Sequence, residues 1–369
     1  MASGMNKPVP KSYISAIHAY TPGKAKADDG RTLIKLSANE NPLGCSPAAS
    51  DALAAQSKGV ARYPDPASQA LRAALARVHA LEEERIVCGT GSDELLNLIA
   101  AGYAGLGDEI IHVNYGFAVY EIATRKVGAE VIVAPDADYA ADVDALLALV
   151  TPKTRLVYLA NPNNPTGTLI EDADIARLHA GLPADVVLVL DQAYGEYLET
   201  DGPAAFDLAR AHNNVLITRT FSKIYGLAAE RIGWAYGHPA LIDTLNRIRG
   251  PFNVTSAGQA AAIAALADRD FVDNSRAHNA KWRDRMNAQI AALSNHGLRA
   301  IPSAANFVLV IFDGAVSAEI ADQELMDAGY VVRRLAGQGL GHALRITIGT
   351  EEENHGVMTA LRAILEKPR

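Results

Sequence analysis

The sequence predicts an α/β protein, with a large domain on a mostly parallel sheet joined to a smaller α+β domain. Three features predict this. Short apolar runs alternate with helix-like segments through residues 50–245. One run, Val186–Leu190, is apolar throughout, the pattern of a strand buried on both faces. The alternation stops at Gly250-Pro251, a helix-ending pair, and a different mix of elements follows.

In chain order the candidate strands of the first region are Arg85–Cys88, Glu109–Val113, Glu130–Ala134, Leu156–Ala160, Val186–Leu190 and Val215–Thr218. Helical periodicity fills the intervals at Asp93–Ala104, Ala118–Val127, Val143–Val150 and Asp172–Ala180. Beyond Gly250 come a helix-rich stretch, Ser256–Ala292, then Phe307–Phe312, a helix near Ser317–Ala328, Tyr330–Leu335, Leu344–Ile348 and a last helix, Glu351–Leu365. A length of 369 residues agrees with two domains at roughly 150 residues each.

Composition removes several classes. Apolar residues at 49% and charged residues at 21% describe a folded chain rather than a disordered one. No stretch of about 18 apolar residues encodes a membrane span. The net charge, 34 − 42 = −8, gives no support to nucleic-acid binding. Cys45 and Cys88 cannot make a disulfide framework or a cysteine metal site by themselves, and two thiols suit a reducing cytoplasm. Met1–Pro10 lacks the apolar core of a secretory signal, and Met1–Gly4 reads as an expression remnant ahead of Met5. HExxH, CxxC, GxSxG and the Walker A loop are all missing, so neither a resident metal nor those nucleophile or nucleotide sites are expected.

The residues that carry chemistry stand after the strands. Thr220-Phe221-Ser222-Lys223 follows Val215–Thr218, so Lys223 sits at a carboxyl end, where open α/β sheets bind ligands. Desolvated there, its amine becomes a nucleophile. A lone lysine is usually a surface residue. Here hydroxyls precede it and Arg231 follows eight positions on, a set that suits a phosphate. Together they match what pyridoxal phosphate (PLP) needs. Asp191, after Val186–Leu190, is placed to face a pyridine nitrogen, or else to begin a turn. Asn161-Pro162-Asn163-Asn164-Pro165-Thr166-Gly167 is a rigid turn, from which Asn164 can donate to a cofactor oxygen or simply shape the backbone. Gly89-Thr90-Gly91-Ser92-Asp93-Glu94 resembles a dinucleotide fingerprint with Asp108 as the ribose acid, although Glu94 replaces the third glycine. Its simpler reading is a turn that presents the Ser92 and Asp93 amides to a phosphate at a helix N-terminus. Tyr115 can stack on a heteroaromatic ring or pack in the core, and Tyr63 on its proline-rich loop can reach a ligand or cover a core edge.

Ser37-Ala38-Asn39-Glu40-Asn41-Pro42-Leu43-Gly44, Arg62-Tyr63-Pro64-Asp65, Gly91–Glu94, Asn161–Gly167, Asp191-Gln192-Ala193-Tyr194, Ser222-Lys223, Arg231 and Leu344-Arg345-Ile346-Thr347-Ile348-Gly349 follow one another in a single order. That order resembles the PLP-dependent aminotransferases of fold type I, nearest to their histidinol-phosphate branch, from about Ser12 to the C-terminus. The resemblance implies a seven-stranded-type sheet. It divides the chain into an N-terminal segment, 1–49, that serves the small domain and the active site, a large PLP-binding domain, 50–250, and a small domain, 251–369. It implies that Lys223 binds PLP as an imine and moves the substrate's proton. Asp191 would pair with the ring nitrogen, Asn164 and Tyr194 would hold the ring oxygen, and Tyr115 would stack on the ring. Ser92, Asp93, Ser222 and Arg231 would bind the phosphate. Tyr63 would reach it from the other subunit of a homodimer. Tyr20, Arg333 and Arg345 would bind substrate, with 2-oxoglutarate as amino acceptor. Gln192 departs from the glutamate common after the aspartate, with little effect expected on the chemistry.

Three other activities compete. An aromatic amino acid transaminase would use the same scaffold with Phe or Tyr as donor. A PLP decarboxylase or lyase would differ in which α-carbon bond breaks. An NAD-dependent dehydrogenase would explain Gly89–Glu94 but leave Lys223, Asp191 and Asn161–Gly167 without roles.

Overall fold

The computed structural model describes residues 8–17, 30, 32–199 and 202–368; Tyr20 and Met1–Gly4 lie outside the described residues. A short strand, β1 (Ile34–Lys35), precedes helices α1 (Pro47–Gln56) and α2 (Gln69–His79). Then strands and helices alternate: β2 (Ile86–Gly89), α3 (Ser92–Tyr103), β3 (Glu109–Val113), α4 (Ala118–Val127), β4 (Glu130–Ala134), α5 (Val143–Ala148), β5 (Thr154–Ala160), α6 (Asp172–Gly181), β6 (Val187–Asp191), α7 (Pro203–Ala211), β7 (Val215–Thr220), β8 (Gly233–Gly237) and α8 (Pro239–Ile248). The C-terminal part holds α9 (Ser256–Ala267), α10 (Arg269–Ala291), β9 (Leu298–Ile301), β10 (Phe307–Phe312), α11 (Ala318–Asp327), β11 (Tyr330–Val331), β12 (Arg333–Leu335), β13 (Leu340–Thr347) and α12 (Glu351–Glu366).

A seven-stranded sheet runs in the order β2-β8-β7-β6-β5-β3-β4. Its neighbours pair in parallel except at β8, which is antiparallel to both β2 and β7. The apolar run of β6 shows why. Leu188 and Leu190 enter the core on one face, while Val187 and Val189 enter the core on the other. Alternate side chains point to opposite faces, so a strand with helices on both sides must be apolar at every position. Each such Val or Leu contributes roughly 1.5–3 kcal/mol through burial.

The second sheet has the order β9-β10-β13-β12 and is antiparallel throughout. Helices α10, α11 and α12 bury Trp282, Leu325 and Leu361 against Val308, Val310, Leu344 and Ile346 from its strands. The start of α12 is fixed by a capping box between Thr350 and Glu353. β1 lies parallel to β11, so the N-terminal segment joins this layer before it returns to the large sheet. There Asn41 Nδ2 donates to Ile224 O at 2.7 Å and to Ser275 Oγ at 3.0 Å.

The structure differs from the sequence reading in three places. β8 was not expected: it is a five-residue strand bounded by glycines, and its place comes from pairing with β2 and β7. The segment Tyr330–Leu335 is two strands, one paired with β1 and the other with β13. The stretch Ser256–Ala292 divides at Asp268, whose side chain accepts the Phe271 N–H and starts α10. α9 buries Ala261, Ala262 and Ala265 in the same core as the large sheet, and Val272 of α10 joins them.

The returning N-terminal segment touches the turn after Lys223 at Gly226, whose φ is +68°. A Cβ there would stand 1.8 Å from Gly44 O. Gly226→Ala combines a left-handed alanine with backbone overlap and should cost at least about 2 kcal/mol. An unchanged melting temperature would contradict that packing.

Candidate active site

The carboxyl ends of β5, β6 and β7 and the β2–α3 turn open onto one cavity of about 310 Å³. Lys223 lies on the turn after β7. Phe221 anchors that turn: its ring is fully buried and its N–H donates to Ile232 O at 2.9 Å. Lys223 Nζ is partly buried, 3.4 Å from Ala38 O. Burial, helped by the positive charge of Arg345, lowers its pKa to about 8, while Asp93 and Glu40 oppose the shift.

Asp191 ends β6 and is 3% exposed. Tyr120 donates to its Oδ2 at 2.8 Å; Thr218 Oγ1 and the Ala193 N–H each reach Oδ1 at 3.2 Å. Burial pushes its pKa up to about 6, and these donors hold it back from rising further. It is therefore mostly a carboxylate at neutral pH.

The β2–α3 turn forms an anion cradle. Gly91, φ +82°, precedes Ser92 and Asp93, the first residues of α3. N–H groups at a helix start have no partner within the helix and carry its positive dipole end. Thr220, Ser222 and Arg231 line the same part of the cavity, and Arg231 Nη1 donates to Ser222 Oγ at 3.2 Å. The φ of +82° explains the glycine, and a Cβ there would also come within 2.7 Å of the end of the Arg231 side chain. Glu94 closes the turn, accepting the Thr90 N–H at 2.6 Å and Asn253 Nδ2 at 2.8 Å. Asp108 sits at the amino end of β3, paired with Arg155 at 3.2 Å, so it is no ribose acid for this cavity.

The small domain closes the other side. Arg345 on β13 is 8% exposed, donates through Nη2 to Ser37 O at 2.8 Å, and holds its guanidinium carbon 5.1 Å from the Phe307 ring centre. Its Nη1 donates to Asn164 Oδ1, which leaves the Asn164 Nδ2 as a donor. Arg333 is register partner to Arg345 and lines the cavity too, whereas Arg334 turns to Glu319 at 2.8 Å. Tyr194 lines the cavity, and burial raises its hydroxyl pKa to about 12.

Two expected residues stand elsewhere. Tyr115 is not among the cavity's lining residues: its ring stacks on Tyr139 with centroids 5.6 Å apart, and its N–H donates to Asp136 at 2.9 Å. The turn at Gly116 brings Phe117 to the cavity instead. Tyr63 is 81% exposed and stacks on Phe252 at 4.5 Å, outside this cavity. Tyr20 lies outside the described residues. Gln192 faces away, accepting from Arg219 Nη2 at 3.0 Å.

Sequence reasoning missed Phe117, Tyr120, Thr218 and Asn39. Thr218 is opposite Asp191 across β6 and β7, a fact available only once the strands are paired. Tyr120 lies one turn inside α4, where nothing in the sequence separates it from a packing aromatic.

The cavity thus combines an amine of lowered pKa, a buried carboxylate, an anion cradle and two guanidinium groups. Comparison with known proteins agrees. Residues 31–361 match the family model described as aminotransferase class I and II. The chain is 62% identical to a histidinol-phosphate aminotransferase of Erythrobacter litoralis, over 94% of this chain and 95% of the relative. It is 60% identical to that of Sphingopyxis alaskensis, over 96% and 97%. The crystal structure of a histidinol-phosphate aminotransferase from Sinorhizobium meliloti in complex with pyridoxal-5'-phosphate is 30% identical, with a TM-score of 0.87 over 98% of both chains. This chain belongs to the class I and II aminotransferase family.

Proposed function

We propose that the chain is a PLP-dependent transaminase that converts L-histidinol phosphate and 2-oxoglutarate to imidazole acetol phosphate and L-glutamate in histidine biosynthesis. The observation that carries this is Lys223 in one cavity with Asp191 and the helix start at Ser92. The residues fit the cofactor. The cradle of Ser92, Asp93, Ser222 and Arg231 supplies donors for a phosphate. Asp191 supplies a carboxylate for a ring nitrogen, and Asn164 and Tyr194 supply donors for a ring oxygen. Phe117 takes the stacking role expected of Tyr115.

Bound PLP supplies an aldehyde that links to amines and a ring that withdraws electrons from the substrate's α-carbon. The protein does the rest. With the cofactor in place, the Lys223 amine would take the proton from the substrate's α-carbon and return it to the cofactor's aldehyde carbon, on the far side of the nitrogen that links the two. A pKa near 8 leaves a useful fraction of that amine uncharged at neutral pH. Asp191 would hold a proton on the ring nitrogen, whose positive charge would favour the ionised carboxylate in turn. Arg345 and Arg333 fix the anionic end of either substrate, so amino donor and keto acid use the cavity by turns.

We further propose a homodimer in which Tyr63 serves the partner's phosphate cradle. Supporting this, Tyr63 is exposed beside Val60 and Phe252 on an apolar groove of about 500 Å³, away from its own cavity. A cytoplasmic site of action agrees with the free thiols of Cys45 and Cys88.

Turnover of histidinol phosphate, phenylalanine and tyrosine, each with 2-oxoglutarate, tests the donor. Histidinol phosphate should give the highest kcat/KM; preference for an aromatic amino acid, or carbon dioxide release, would overturn the assignment. Stopped-flow uptake of PLP by the cofactor-free protein tests Lys223. Only the uncharged amine attacks, so the rate should rise with pH and reach half-maximum near 8. Borohydride should then fix the cofactor to Lys223, and labelling of another lysine would refute its role. Arg345→Ala should cost about 3 kcal/mol in kcat/KM for donor and keto acid alike. Arg345→Lys should recover little, because a point charge cannot replace the planar fork. Near-normal kinetics in Arg345→Ala would return Arg345 to a structural role.

A further inference from the structure

Tyr194 is held by a side chain from outside its own domain. Asn39 lies between β1 and α1, 1% exposed, with φ +57°, a left-handed conformation that asparagine adopts more readily than most residues. Its N–H donates to Thr347 Oγ1 at 3.1 Å, and that hydroxyl donates to Asn39 Oδ1 at 3.0 Å. Asn306 Nδ2 donates to Asn39 O at 3.0 Å. With Oδ1 engaged by Thr347, the amide turns Nδ2 to Tyr194 and donates to its hydroxyl oxygen at 2.8 Å.

The direction of this bond has a chemical consequence. A phenol has one proton. Where an N–H already occupies a lone pair of its oxygen, that proton must find an acceptor elsewhere. Tyr194 lines the cavity, and Asn39 is the partner recorded for its hydroxyl among the described residues.

We propose that Asn39 is a positioning residue: by donating to Tyr194 it sends the phenol's own proton to the ring oxygen of bound PLP, and so sets the pH at which the Lys223–cofactor nitrogen gains a proton. The proposal rests on the functional reading above. A donor on the ring oxygen stabilises its negative charge and weakens its hold on a proton at the neighbouring nitrogen. The charged groups around Lys223 and Tyr194 are Arg345 on β13, Asp93 on α3, Glu40 beside Asn39, Arg231 beyond β7 and Asp191 on β6. Asn39 adds no charge to this set; it fixes a hydrogen-bond direction.

Asn39→Asp tests the direction by exchanging one atom. The aspartate keeps the size and the tolerance of positive φ, but it cannot donate, so Tyr194 donates to it instead. The readout is the near-ultraviolet and visible absorbance of the PLP-loaded protein, titrated with pH. The midpoint should rise by about one unit, roughly the value of one hydrogen bond to a charged group, as it should in Tyr194→Phe. Asn39→Gly keeps the backbone conformation and should raise it less. In a Tyr194→Phe background, Asn39→Asp should lose most of its effect.

A wild-type midpoint in Asn39→Asp overturns the proposal. So does an equal shift with and without the Tyr194 hydroxyl, which would mark a plain charge effect. Should Asn39→Asp fail to fold, Thr347→Val, which frees the amide to turn, is read the same way. Wild-type protein that takes up no PLP overturns the functional reading, and this proposal with it. A normal wild-type band with unmoved variants overturns this proposal alone.

Discussion

Strands buried on both faces can carry polar chemistry only at their ends, and the rest of this structure depends on that constraint. The middle positions of β5, β6 and β7 are buried, and their two arginines, Arg155 and Arg219, stand near strand ends and are paired with acidic side chains. Asp191, Lys223 and the Asn161–Gly167 turn therefore gather at one edge of the sheet, where three strands end side by side. The same burial sets their chemistry. It lowers the amine's pKa and raises the carboxylate's, so one is partly uncharged and the other still ionised in the same pH range.

The large sheet supplies only part of the site. Arg333 and Arg345 come from the second sheet, and the roof, Ser37 to Glu40, comes from the segment between β1 and α1. Those parts are joined by polar bonds rather than by apolar packing alone. Arg345 links to Asn164 and Ser37, and Asn39 links Thr347 to Tyr194. Buried polar groups need their partners in place, so these bonds fix the register of the two layers as well as the orientation of the donors.

Legibility in the sequence followed the range of the interaction. The six large-domain strands read from periodicity are all present, within two residues at their ends; in five of them burial on both faces writes itself into consecutive residues, while β4 is a half-exposed edge strand. β8 escaped because its place comes from pairing partners more than a hundred residues away on one side. In the site, Lys223, Asp191 and the Ser92–Asp93 helix start were legible because a strand end or a glycine turn marks each one. Phe117 rather than Tyr115 lines the cavity, since a single glycine turn decides which of two nearby rings faces inward. Asn39 and Tyr120 act through contacts of 155 and 71 positions, and such contacts leave no local pattern.

The pairing of β1 with β11, and of Ser37 with Arg345 across 308 positions, bears on the order of assembly during synthesis. The large sheet is complete by Gly237, so its core can consolidate while the ribosome is still adding the last third of the chain. The segment around Ser37 is among the first parts to emerge and among the last to find its partners. Until β13 has been translated, a nascent chain has Lys223 beside the helix start at Ser92, but Ser37 and Asn39 still lack their partners Arg345 and Thr347. A closed cavity is thus the final property the polypeptide acquires.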